Sequence, residues 1–254
     1  MFSLKINLII LFITLSLLQI KAHGQVNIES KRTNSKEKTK ILSELGLNYR
    51  EGEIKELEFK YGLRLDYNFN KNNKLINIFE YVYGEANEEK FKDELFFHSR
   101  ITSMLFLKNT LGIEFFIQTQ KNEFYNINLR QLGGTGLRYQ LFHIILFDGY
   151  IGLGAMKEYE IIQEEKNNND IRSTNYLTLV IDKEKKYKLL STTYYQPLFV
   201  EYKDYRINSE LAIIFYLSKY ISFKNSVNYL YDSNPPKDIE ANNASVNLNL
   251  ILEY

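Results

Sequence analysis

The stretch ELEFKYGLRLDYNF, Glu56 to Phe69, alternates without a break. Leu57, Phe59, Tyr61, Leu63, Leu65, Tyr67 and Phe69 fall on one face of an extended strand. Glu58, Lys60, Gly62, Arg64, Asp66 and Asn68 fall on the other. Successive strand side chains point to opposite faces, so this segment is apolar on one side and charged on the other. Its fourteen residues reach about 46 Å at ~3.3 Å per residue. Strands of globular proteins run to ~5–6 residues, whereas a tilted membrane-crossing strand needs ~9–11. Few architectures hold so long a strand with one face so apolar. A sheet closed on itself, with lipid outside and a wet or ion-paired interior, is one that does.

The same period recurs. In TLGIEFFIQTQ, Leu111, Ile113, Phe115 and Ile117 oppose Gly112, Glu114, Gln118 and Gln120, with Phe116 an apolar residue on the polar side. YRINSELAIIFYL and ISFKNSVNYLY repeat the pattern, and the chain ends in it with ASVNLNLILEY. About twelve strands are predicted, near 40–50, 55–69, 74–84, 91–105, 109–120, 125–141, 145–160, 172–182, 187–201, 205–217, 220–231 and 241–254. The connections alternate in character. Tight ones are expected at 70–73, 107–108, 142–143, 182–186 and 218–219. Longer or more charged ones are expected at 84–90, 161–173 and 232–243. Outer-membrane barrels have short periplasmic turns and longer outside loops, and an even strand number puts both termini on the periplasmic side. A soluble two-sheet sandwich also alternates, but with shorter strands and denser Gly and Pro punctuation. Three prolines and twelve glycines argue against it.

The first residues read as a leader. Lys5 precedes an apolar run from Ile6 to Leu18, and small residues follow at Ala22 and Gly24. That run is short of the ~20 residues that span a bilayer as a helix, so residues 1–24 are expected to be a cleaved signal peptide and residues 25–254 a single barrel domain. Losing Lys5 and Lys21 takes the formal net charge from +1 to −1. Acidic and basic residues are nearly balanced, which leaves no nucleic-acid footprint. The chain has no cysteine, so thiolate zinc sites, disulfides and thiol nucleophiles are excluded.

The C-terminal third carries a recognisable pattern: YRINSEL with Tyr205, Arg206, Ser209 and Glu210, then YDSNPP with Tyr231, Asp232, Ser233, Pro235 and Pro236, then the closing strand. Upstream, LGGTGLRYQLF leads to DGYIGLGAMKEYE. Together these resemble the salt-induced outer membrane protein family, domain of unknown function 481. The resemblance implies an outer-membrane β-barrel of a Gram-negative bacterium and carries no catalytic residues. The family pattern ends in Phe; this chain ends in Tyr254, which by the same resemblance is expected to be the signal read by the barrel-assembly machinery.

Candidate site residues follow from parity. Glu58, Lys60, Arg64 and Asp66, with Glu114, Arg138, Arg206 and Glu210, are predicted to line the lumen. Buried charges must be paired or wet, and Ile76, Ile78, Phe116, Ile214 and Tyr216 on the same side would narrow any channel. His98 and Ser99 are neighbours and so face opposite ways, which removes them as a nucleophile–base pair. Glu164 to Asp170 lacks the spacing of a calcium loop. The expectation is a non-enzymatic outer-membrane barrel without cofactor or metal, its partners the lipid bilayer and, during insertion, the assembly machinery. Its role is structural or tied to envelope stress. A narrow non-selective porin and a lipid-modifying outer-membrane enzyme stay open as alternatives. A monomer is the expected state.

Overall fold

The computed structural model describes residues 37–50, 55–105, 110–123, 126–163, 167–183, 186–237 and 239–254. The expected leader at 1–24 and the tight turn at 107–108 lie outside them. Twelve strands run in chain order: β1 (Thr39–Arg50), β2 (Glu56–Asn68), β3 (Asn73–Ala86), β4 (Glu89–Met104), β5 (Leu111–Asn122) and β6 (Ile127–Ile144), then β7 (Phe147–Ile162), β8 (Asn168–Lys183), β9 (Tyr187–Pro197), β10 (Tyr205–Tyr216), β11 (Ile221–Asp232) and β12 (Asn242–Glu253). Each pairs antiparallel with its sequence neighbours, and β12 returns to β1 to close the barrel.

The period of two becomes an inside and an outside. Leu63, Leu65, Phe115, Ile117, Leu137, Leu153 and Leu211 are exposed on the outer wall, while Arg64, Asp66, Glu114, Arg138, Glu158 and Glu210 are buried within. A water-soluble protein buries large aliphatic side chains and exposes charges; here the order is reversed. Within the interior, Ile76, Ile78 and Phe96 form a small apolar cluster.

Both described strand termini, at Thr39 and Glu253, share one end of the barrel, the near end, with the strand ends Asn68 and Asn73, Met104 and Leu111, Ile144 and Phe147, Lys183 and Tyr187, and Tyr216 and Ile221. The strand ends Arg50 and Glu56, Ala86 and Glu89, Asn122 and Ile127, Ile162 and Asn168, Pro197 and Tyr205, and Asp232 and Asn242 lie at the far end. The expected alternation of tight and longer connections has this arrangement, with local corrections. The charged stretch read as a loop at 84–90 is a two-residue turn, Asn87 and Glu88, both at positive φ (51° and 68°). That geometry matches the twist of two antiparallel strands, and the charges belong to strand ends. The expected loop at 161–173 shrinks because β7 and β8 pair from Glu160↔Asn168 downward, placing Asn168, Asn169 and Asp170 of the acidic stretch in a strand. The turn expected at 142–143 falls at 145–146: a register shift between Gln140 and Phe142 carries β6 onward, and His143 pairs with Asp148, their side chains 2.5 Å apart. Conversely β9 stops early, at Pro197, which has no N–H to give a ladder.

Candidate functional site

The barrel interior is the candidate site, because that is where every strand delivers its alternate, mostly polar residues. In the far half, one carboxylate organises the charges. Glu158 on β7 is wholly buried and meets three arginines. Arg130 on β6 bonds it through Nη2 and through Nε at 3.0 Å. Arg172 on β8 approaches at 3.4 Å and Arg206 on β10 donates at 2.8 Å. Arg206 also donates to Glu160 at 3.1 Å and to Asp232 on β11 at 2.7 Å. Arg172 reaches Asp204 in the 198–204 connection at 2.7 Å. The contact between β7 and β10 joins strands that are not neighbours, so it crosses the lumen as a chord.

A second chord joins β5 to β8. Glu114 on β5 accepts from Arg100 on β4 at 3.2 Å, from Thr102 at 3.1 Å and from the Tyr176 hydroxyl on β8 at 3.0 Å. Arg138 on β6 donates to the same hydroxyl at 3.1 Å and lies 4.0 Å over the Tyr150 ring. A third chord joins Lys92 on β4 to Glu58 on β2. His98 is buried, its Nδ1 3.2 Å from Gln118 Oε1 and its ring stacked near Phe96 and Phe116. Ser99, next to it, is on the opposite face.

The near half holds the remaining predicted residues. Arg64 grips Asp66 through Nε at 2.5 Å and Nη2 at 2.9 Å, and Lys74 reaches the same carboxylate at 2.7 Å. Lys60 lies 3.9 Å from both Glu44 and Glu80. Lys224 pairs with Glu210 at 3.0 Å. Thus Arg64 and Asp66 form one pair, Glu114 and Arg138 share Tyr176, and Glu58, Lys60, Arg206 and Glu210 each belong to separate networks. Parity alone had not singled out Glu158, Glu160, Arg172 or Tyr176. The first two share the parity of KEYE, a usable signal, but Arg172 sat where the expected loop at 161–173 overlaps the expected strand at 172–182.

At the far rim, hydrogen bonding from Lys121 and Lys90 holds the Glu123 carboxyl below the usual carboxylate range. Among the described residues no group of three or more His, Asp or Glu is placed to hold a metal ion. Nor is any helix among them long and apolar enough to cross a membrane, a test that does not bear on strands. Tyr254 is exposed; its backbone exchanges hydrogen bonds with Ile41 at 3.0 and 3.3 Å.

An antiparallel barrel with an apolar outer wall and a charged interior is the architecture of outer-membrane β-barrels. Solved structures of that class share this fold. The translocator domain of the autotransporter NalP from Neisseria meningitidis is 10% identical with a TM-score of 0.50, covering 87% of this chain and 89% of that one. The NanC porin is 9% identical at 0.50, over 85% and 98%. An outer membrane channel from Pseudomonas putida F1 is 12% identical at 0.51, over 85% and 94%. At these identities the likeness is one of fold. The sequence itself places the chain more narrowly: residues 43–254 match the family described as "Protein of unknown function, DUF481", and the chain belongs to it. No curated protein matches it in sequence.

Proposed function

We propose that this protein resides in the outer membrane as a barrel closed across its middle by its own ion pairs, serving the envelope as a structural component without a catalytic step. The observation that carries this reading is the set of chords: Glu158 to Arg206, Glu114 to Tyr176 and Glu58 to Lys92 tie together strands that are not neighbours. An aqueous channel would leave such side chains, two or three strands apart around the wall, hydrated and apart. Bilayer lipid is the partner of the apolar wall, and Tyr254 serves recognition by the assembly machinery. A link to salt stress rests on the family resemblance alone.

A second reading, a narrow non-selective pore, draws on two interior cavities of about 100 and 150 Å³ at the near and far ends. Planar-bilayer recording on the refolded protein separates the two. The closed barrel gives no stepwise conductance, and the double change Glu158→Ala, Arg206→Ala, which removes a chord without leaving one half of it, raises leak. Discrete openings of the unaltered protein would sink the closed barrel and leave the pore.

A further inference from the structure

The near-end cavity has a feature that neither a structural role nor a pore requires. Cross-strand register sorts its charges by depth. Lys40, Asp66 and Ile76 stand level at the mouth; Leu42, Arg64 and Ile78 come next; Glu44, Gly62 and Glu80 lie deeper. Lys188 from β9 and Lys224 from β11 line the same space from the opposite wall. The two glutamates at the deeper level share Lys60, Lys40 pairs with Glu253 at 2.5 Å, and Lys224 is taken by Glu210.

Arg64 differs from these. It is 5% exposed, Nε and Nη2 are spent on Asp66, and Nη1 is buried without a hydrogen-bond partner. Asp66 is itself divided between Arg64 and Lys74. Lys40, Lys74 and Arg64 are all within electrostatic range of Lys188, whose own counter-charge is Asp182. An unmet buried donor on a charged group is costly, and an acceptor carrying negative charge relieves it most. The space is there: the cavity holds about 100 Å³, room for several waters or one tetrahedral oxyanion. Gly62 contributes to that room, since a Cβ there would stand 3.3 Å from the Glu44 side chain and 3.9 Å from that of Glu80.

We infer that the near-end cavity is a binding site for a small free oxyanion, of the phosphate or sulfate type, held by the Arg64 guanidinium with Lys188 and Lys40 beside it. The anion enters from the side of the barrel that carries the termini. This site is independent of whether the barrel conducts, because none of the chord residues lines the cavity.

The test is a titration of the refolded, micelle-embedded protein with inorganic phosphate, read by ³¹P line broadening and by calorimetry. Saturable binding at one site is expected, competed by sulfate and weakened at least tenfold by Arg64→Gln. In that variant Lys74 still pairs with Asp66, so no carboxylate is stranded. Lys188→Met provides a second variant with the Arg64–Asp66 pair intact, and it too should weaken binding severalfold. Lys90→Gln, at the far rim, should bind as the unaltered protein does. Heat-modifiable gel mobility establishes that each variant is folded. Absence of saturable binding, or binding unchanged in both Arg64→Gln and Lys188→Met, would overturn the inference. A conductance result of either sign leaves it standing.

Discussion

At the residue scale, the interior depends on who makes room for whom. Gly152 on β7 faces inward beside Tyr176 of β8, and a Cβ there would lie 2.0 Å from the Tyr176 ring. No real contact is that short, so Gly152→Ala must displace the ring. The hydroxyl then leaves both Arg138 and Glu114, its partners at 3.1 and 3.0 Å. The expected loss is about 1–3 kcal/mol, that of overpacking, seen as a lower urea midpoint of the protein folded in lipid vesicles. A Gly152→Ala barrel as stable as the original would mean that Tyr176 does not bridge the lumen. This dependence was only half legible beforehand. Parity puts Arg138 and Glu114 inside, because alternation is a local property of each strand. It could not pair them through Tyr176, because that contact depends on how strands three apart face each other across a closed sheet.

At the element scale, strand positions were readable because a one-residue slip would turn every apolar side chain to the wrong face. Connections were less so. Charge at 84–90 suggested a loop, yet strands that outrun the apolar band can carry Glu85, Glu89 and Lys90 at no cost. One junction stands apart. The ladder between β1 and β12 runs only from Leu42↔Glu253 to Leu45↔Leu250, extended by the bonds between Ile41 and Tyr254. Beyond it, among the described residues, Gly46–Arg50 form no register pairs with β12, although β1 is zipped to β2 as far as Arg50↔Glu56 and β12 to β11 as far as Tyr231↔Asn242. Ladder pairs hold a barrel wall together in lipid, so this seam, with the fewest of them, is where the wall yields first. The chain has no cysteine, which makes the point directly testable. Ser43→Cys with Leu252→Cys, in the zipped half, should oxidise to a disulfide rapidly and completely. Leu47→Cys with Leu248→Cys, in the unzipped half, should do so slowly or in part. Equal rates would show that the seam is closed along its whole length.

At the scale of the whole molecule, the fold makes sense only with its solvent. The outer wall is apolar from β1 round to β12, and the polar residues point at each other inside. Leu137 on β6 is 51% exposed and lies in register between Ile113 of β5 and Leu153 of β7, all three facing outward. On the surface of a protein in water, an exposed leucine changed to lysine alters stability by about 0.5 kcal/mol or less. On the lipid face of a barrel the same change costs about 2–4 kcal/mol near the bilayer midplane, falling toward zero at its edges. Leu137→Lys is therefore expected to lower the unfolding free energy in lipid vesicles by about 2–4 kcal/mol. Tyr49→Lys, at the far end of β1, should cost little, since a lysine there can reach the interface. A Leu137→Lys protein of unchanged stability would mean that this wall does not face hydrocarbon. The alternation that first suggested a barrel would then need another partner for its apolar side.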